Sequence, residues 1–454
     1  MRKIISIFKN KELLNRIIFT IMILLIIRIG AAIKVPGVKV SEEIEKQFTE
    51  AGAIALMDLL GGGALQHFSI FALGVSPYIT AQIIVQLLSK DVLPALTELS
   101  RQGEYGRKKS EMATRYLTLL LGAVQAYGVI KTMENNSYIT VNNPTFWGYA
   151  YIIIIILAGS MLMMWLGDQI TSKGLGNGIS VIIFAGCVRS LPLQMKAAFQ
   201  KWILDNQGKG SSQLLRGGFQ FLIYILVFVL IISFVVFIEL SKRKIPVQHS
   251  GRGGANPSMA RASFLPIKVN SAGVIPVIFA SSIMLAPSVI ASFISADAAK
   301  AEWLKIFSYS EFTNVNGVKI PFGLFIYLIL TVLFCFFYAS IQINPQQLAE
   351  NFQKSGSYIP GIRPGVETEK YVAKVLNRVT CLGAISLALI AGLPVILTLA
   401  GVFKDAQGNN TTILSLGGTS LIIVVGVAIE LNAQIDGLLA GKSFEEVQAG
   451  GANL

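Results

Sequence analysis

Blocks of about twenty predominantly apolar residues recur along the chain, and no other feature constrains its fold as tightly. They cover residues 17–35, 113–130, 147–166, 217–240, 271–293, 322–343, 376–400 and 419–433. Each meets the demand of a helix that crosses hydrocarbon, about 20 apolar residues with every backbone amide satisfied inside the segment. Two shorter apolar segments, 76–88 and 179–191, each follow a glycine-rich stretch, 61–63 and 174–178. Counting these as short or broken spans predicts an all-α polytopic membrane protein with ten transmembrane helices. A signal peptide is not the expected reading of the basic start MRKIISIFKNKELLNR. The apolar run after it is longer than a signal core of roughly 7–15 residues, so it is expected to stay as the first helix.

Composition supports one membrane domain rather than several soluble ones. Of 454 residues, 53% are hydrophobic and 14% charged, whereas a soluble domain carries about a quarter charged residues. The net charge of +13 does not mark a nucleic-acid binder, because the basic residues sit in short segments between apolar blocks. They gather in residues 2–16, 90–115, 242–268 and 354–378, alternate connections of a ten-span chain. The positive-inside rule then places both termini in the cytoplasm. Lys196, Lys201, Lys209 and Arg216 run against this pattern, but orientation follows the summed bias.

Two of the basic connections, 241–270 and 342–375, are long for a helical bundle, and loops of that length are functional or disordered. The second holds the turn Pro360-Gly361-Ile362-Arg363-Pro364-Gly365, whose backbone sets Arg363 at a tip. By itself such a turn is equally a solvated basic corner.

Chemistry is sparse. Cys187, Cys335 and Cys381 are odd in number and show no CxxC spacing, and only His67 and His249 supply imidazoles. Neither disulfides nor a zinc site is expected, and no cofactor. The ionisable residues noted in the spans, Arg28, Glu239 and Glu430, stand near helix ends, where side chains snorkel to the interface. Ion coupling needs carboxylates deeper in the membrane. No HExxH, paired intramembrane aspartates or GxSxG nucleophile turn occurs, so the chain is expected not to be an enzyme. The glycines at 174–178 read as a tight entry turn to a helix.

The segment 58–79 is the most informative. Its glycines bracket a short apolar stretch before Ser76-Pro77 opens a helix, Pro suiting a first turn. Non-helical backbone at membrane depth must be buried in protein or line a cavity. The stretch is therefore either a half-helix entering a cavity or a re-entrant loop without a moving part.

Five blocks, LGVSPYITAQIIVQLL, GLGNGISVIIFAG, LPIKVNSAGVIPVIFASSI, NPQQLAENFQKSGSYIPGIRPG and LGGTSLIIVVG, resemble signatures of the SecY protein-translocation channel family, in that family's order and spacing. The resemblance implies ten helices in two halves, 1–195 and 217–433, around an hourglass pore, with the tail 434–454 in the cytoplasm of a bacterium. It implies a short plug half-helix made of Gly62, Gly63, Ala64, Leu65, Gln66, His67, Phe68, Ser69, Ile70 and Phe71. It implies a pore ring of Ile79, Ile83, Ile183, Cys187, Ile278 and Ile423, and a lateral gate between the helices that start at Ser76 and near Ser271. Cys187 stands where the family usually has a bulkier aliphatic residue. Arg363 matches a docking site for the SecA ATPase or the ribosome, and Arg252 and Arg261 are the charges left in an otherwise weakly basic loop, 248–263.

On this resemblance the chain is a passive conduit. Unfolded nascent polypeptides cross it, signal peptides and membrane anchors leave sideways into membrane lipids, SecE clamps the halves and SecG sits at the periphery. The residues themselves allow a ring, because Ile79 and Ile83, like Ile183 and Cys187, are four apart and share a helix face. Without the resemblance such pairs most often face lipid or a neighbouring helix. A secondary transporter for a small solute and a purely structural scaffold are the rival readings.

Overall fold

In a computed structural model the described residues are 10–41, 58, 61–89, 98–99, 102–135, 137–204, 211–249, 263–294, 302–307, 313–315, 318–399 and 417–451. Helices dominate: α1 (Lys11–Ala32), α2 (Ser76–Leu88), α3 (Gly103–Asn135), α4 (Phe146–Lys173), α5 (Gly178–Trp202) and α6 (Ser211–Leu240) in one half of the chain. The other half adds α7 (Ile275–Ile294), α8 (Phe322–Gln342), α9 (Pro345–Lys354), α10 (Val366–Leu399) and α11 (Gly417–Gly451). Asparagines start several of them. Asn10, Asn177 and Asn344 each accept a first-turn amide through the side chain, satisfying a donor that the helix leaves open.

Seven described helices are long and apolar enough to cross a membrane, so the chain is a multi-pass membrane protein. Apart from the short α9, the helices outside those seven are α2, α3 and α7. Helix α2 has 13 residues, α7 keeps an apolar stretch at Ile275–Met284, and the 33 residues of α3 open on a charged turn. One expectation needs correcting. Residues 179–191 are not a short or broken span but part of the 25-residue α5, which runs through Pro192 and out along Lys196 and Lys201.

Exposure in this bundle is inverted relative to a soluble protein. Ile18, Ile21, Met22, Leu25 and Ile29 on α1, and Phe219, Leu222, Leu226, Val229 and Phe237 on α6, all face outward. Mostly three or four residues apart, they form stripes that lipid solvates. With hydrocarbon on the outside, helices associate by close packing rather than by escape from water. Helices α3, α4, α5, α11, α10, α8 and α7 pack in a closed circuit, α7 returning to α3. Helix α2 lies against α3 and α7, and α6 against α5, α10 and α11.

The two long connections are ordered where described, and they hold each other. Strand β3 (Lys242–His249) pairs antiparallel with β4 (Ser263–Lys268) along one edge and with β7 (Ser357–Tyr358) along the other. Two short antiparallel pairs complete the strands: β1 (Val38–Val40) pairs with β2 (Ile139–Val141), and β5 (Thr313–Val315) with β6 (Val318–Ile320). A separate apolar cluster, including Ile245, Ile267, Ile359, Val372 and Leu376, fastens the three-stranded sheet to the start of α10.

One contact fixes how deeply the segment after α1 is seated. Gly159 on α4 has no side chain, and a Cβ there would run into the Ile70 carbonyl oxygen. Gly159→Leu is therefore expected to cost ~1–3 kcal/mol through overpacking, read as a lower thermal midpoint of the detergent-solubilised protein. Gly218→Leu, where a Cβ meets nothing within 4 Å, is expected to leave the midpoint in place.

Candidate channel ring and its plug segment

Six residues of four helices are buried inside the bundle. Ile79 and Ile83 come from α2, Ile183 and Cys187 from α5, Ile278 from α7 and Ile423 from α11. None exceeds 7% exposure, so none faces lipid, and all six belong to one continuous apolar cluster. Helix α2 touches α7, and α5 packs along α11.

Residues 61–75 fold against this cluster. They form successive turns and an isolated bridge, Lys34 to Ser69, rather than the expected half-helix. The reason is local backbone geometry. Gly62, Gly63, Phe68 and Gly74 all take positive φ, +71°, +81°, +42° and +57°, and left-handed residues at that density prevent helical propagation. Leu65, Phe68 and Phe71 still enter the same apolar cluster as the ring, and Ala64 joins them. Gln66, His67 and Ile70 are half-buried. Main-chain bonds to α1's exit hold the far side: Val35 N–H donates to Phe68 O at 3.0 Å and Ile70 N–H to Ile33 O at 3.1 Å.

Turns leave carbonyls and amides open, and three charged side chains close them. Arg28 does not snorkel outward as expected. Its Nη1 donates to Gly62 O and its Nη2 to Ala185 O, both at 2.6 Å. Arg189, from the middle of α5, donates through Nη1 to Gly63 O at 2.9 Å and to Gly62 O at 3.3 Å. Asp58 Oδ1 accepts the amides of Leu65 and Gln66 at 3.0 and 3.1 Å. Asp58 lies in the connection between α1 and α2. Burial pushes its carboxyl up to about 6, against the Gln66 amide, the Arg189 charge, the Leu65 amide and the Arg28 charge, which favour the carboxylate. A guanidinium can make several directed bonds at once, so two arginines tie the segment to α1 and α5 together.

Sequence reading missed Arg189 and Asp58. A lone arginine inside the apolar run 179–191 is the signal that points to the first, because a charge in a span must find a partner. For Asp58 there was no comparable signal, since its partners are backbone groups of a turn. Glu239 is also placed differently from expectation: it is 7% exposed and accepts from Asn270 Nδ2 at 2.5 Å rather than reaching the interface. Glu430 is exposed.

At the other candidate site Arg363 is exposed. Its turn is fixed by Gly361 and Gly365, at φ +83° and +105°, and by the Thr368 hydroxyl donating to Arg363 O at 2.9 Å. Arg252 and Arg261 lie outside the described residues.

Arg189→Gln is expected to loosen the 61–75 segment. Each charge-assisted hydrogen bond carries ~1.5–3 kcal/mol, which corresponds to roughly ten- to a hundredfold in the open fraction. A cysteine placed at Ile70 in a Cys381→Ser background, which removes the exposed thiol, should react faster with a water-soluble maleimide when Arg189 is replaced. An unchanged rate would show that the clasp does not hold the segment.

The SecY family model matches residues 69–432. Protein translocase subunit SecY 1 of Lactobacillus kefiranofaciens subsp. kefiranofaciens is 43% identical over 441 residues, 96% of this chain and 97% of that protein. Among solved structures, one concerns the plug domain of the SecY protein, which stabilises the closed state of the translocation channel and maintains a membrane seal. It superimposes with a TM-score of 0.65 at 18% identity over 97% of this chain and 95% of that one. Sec61 in the canine ribosome-channel complex from the endoplasmic reticulum gives a TM-score of 0.59 at 17% identity, covering 92% of each chain. A family match over most of the chain and a near full-length relative well above 30% identity lead to one conclusion: this chain belongs to the SecY family.

Proposed function

We propose that the chain is the central subunit of a protein-conducting channel, passing unfolded polypeptides across the membrane and releasing apolar segments sideways into lipid. The observation that supports this is that Ile79, Ile83, Ile183, Cys187, Ile278 and Ile423 are all buried in one apolar cluster, which Leu65, Phe68 and Phe71 of the 61–75 segment also enter. A narrow apolar constriction excludes ions by dewetting. Branched aliphatic side chains on separate helices can still part around a passing chain and close behind it. The curated relatives are translocase subunits, and none of the comparisons favours a small-solute transporter.

The finer assignments follow the same geometry. Residues 62–71 act as the plug, held closed by Arg28, Arg189 and Asp58 and displaced when a substrate enters. The lateral gate opens where α2 meets α7, a contact between a helix too short to span alone and the opposite half. Halves 1–195 and 217–433 move about the side where α5 meets α6. Nothing in this scheme needs bond chemistry in the chain itself, so it works as a conduit, not an enzyme.

Energy then has to come from partners. The sheet β4-β3-β7 and the Arg363 turn form the docking face for the SecA ATPase or a translating ribosome. A structural neighbour was solved in a ribosome-channel complex, which supports the second. SecE braces the halves and SecG lies peripherally. The positive-inside distribution supports both termini, the 434–454 tail included, in the cytoplasm, and the bacterial relatives support a bacterial plasma membrane.

Two experiments test this reading. Ile278→Asn should raise the resting single-channel conductance in planar bilayers, because a polar ring residue wets the constriction. An unchanged conductance in a well-inserted variant would remove Ile278 from the ring. Arg363→Glu should lower motor-driven export several-fold while leaving membrane insertion of the channel near wild type. Equal loss of both would mean misfolding rather than a lost docking contact.

A further inference from the structure

Beside the ring lies a cavity of about 370 Å³ that the seal does not use. Ser180 of α5, Val274 just ahead of α7 and Gly426 of α11 line it. They precede Ile183, precede Ile278 and follow Ile423 by three or four residues, one helical turn each. The cavity therefore sits one turn from the constriction on three of the four ring helices. By the orientation assigned above, this is the cytoplasmic, entry side.

Its polar lining is mostly neutral, with Asn177, Ser271, Tyr338 and Gln342 among it, but its charged side chains are net acidic. Glu239 and Glu430 both line it. Glu239 is more than nine-tenths buried, and among the described residues its one hydrogen-bonded partner is the Asn270 amide nitrogen. That nitrogen also donates to Gly273 O at 3.1 Å, so two acceptors fix the amide's orientation. Asn270 is 2% exposed and lines the cavity, yet its Oδ1 has no donor among the described residues. Lys268 stands at the same cavity, one ammonium against two carboxylates. Buried acceptors without donors cost free energy, and what they lack here is a cation rich in N–H groups.

The donor set does not suit a metal ion. Among the described residues no three His, Cys, Asp or Glu side chains come together. Space is kept by Gly426, where a Cβ would press on Val274 Cγ1 at 2.8 Å and lie 3.8 Å from Glu239 Oε1.

We propose that this cavity is a binding subsite for the ammonium or guanidinium of a lysine or arginine in the entering polypeptide, held one turn short of the ring. The proposal rests on the conduit reading. It assigns Glu239, Glu430 and Asn270 to substrate binding, with Lys268 as a tethered competitor.

The test uses the assembled translocase in proteoliposomes and a secretory precursor arrested partway. Photo-crosslinking residues are placed at Ile429, in the cavity lining, and separately at Ile278, in the ring. Replacing the precursor's lysines and arginines near the arrest point by glutamine should cut the Ile429 adduct about three- to tenfold. Glu239→Gln, which keeps an oxygen for Asn270, and Glu430→Gln on the exposed face should do the same, while the Ile278 adduct persists. Lys268→Gln should strengthen the Ile429 adduct. Glu430→Lys should recover it with a precursor whose basic residues are changed to glutamate. An Ile429 adduct indifferent to charge on both sides, with the Ile278 adduct intact, overturns the subsite alone. Loss of the Ile278 adduct with the wild-type precursor overturns the conduit reading on which it stands.

Discussion

Backbone polarity in hydrocarbon is the constraint from which the rest of this structure follows. A peptide amide or carbonyl without a partner at membrane depth costs several kcal/mol, so the chain is either helical or wrapped in other protein. Residues 61–75 are not helical. They persist because Arg28 and Arg189 cap the Gly62 and Gly63 carbonyls and Asp58 collects two amides. The same bonds that make such backbone tolerable also make it detachable as a unit. Each is a directed polar contact that water can replace wherever it reaches the segment.

The apolar ring works by the opposite logic. Its six residues have no polar partner to lose, so parting them costs only packing contacts, each individually small. Seal and clasp thus divide the task. On the proposed reading the ring is soft and recloses by itself, whereas the hydrogen bonds of Arg28, Arg189 and Asp58 are directed and hold residues 61–75 in one registration. Gly159 and the Phe71 ring against Gly30 set how closely that segment approaches α4 and α1.

Much of the architecture was legible beforehand, for a physical reason. Lipid makes each span prove itself by length and apolarity, so most of the eight long blocks reappear as helices with modest shifts at their ends. The exceptions come from competing effects. The α5 helix continues past Leu191 because polar residues at a membrane edge do not stop helix propagation. Residues 61–75 are turned rather than helical because Gly62, Gly63 and Gly74, together with Phe68, sit in the left-handed region. Arg28 and Glu239 point inward because carbonyls of Gly62 and Ala185, and the amide of Asn270, lie within reach. None of those partners is close in sequence.

Apolar periodicity, the alternation of basic connections and five signature blocks were enough to determine that this is a multi-spanning SecY-type chain and to nominate its isoleucines. Those are local properties, written in runs of neighbouring residues. Tertiary structure alone decided that Arg28, Asp58 and Arg189 share one turn, that Glu239 and Asn270 border a cavity with Glu430, and that β3 joins two distant loops. Charges choose partners by proximity in space, and in a closed helical circuit that proximity is set by packing, not by position along the chain.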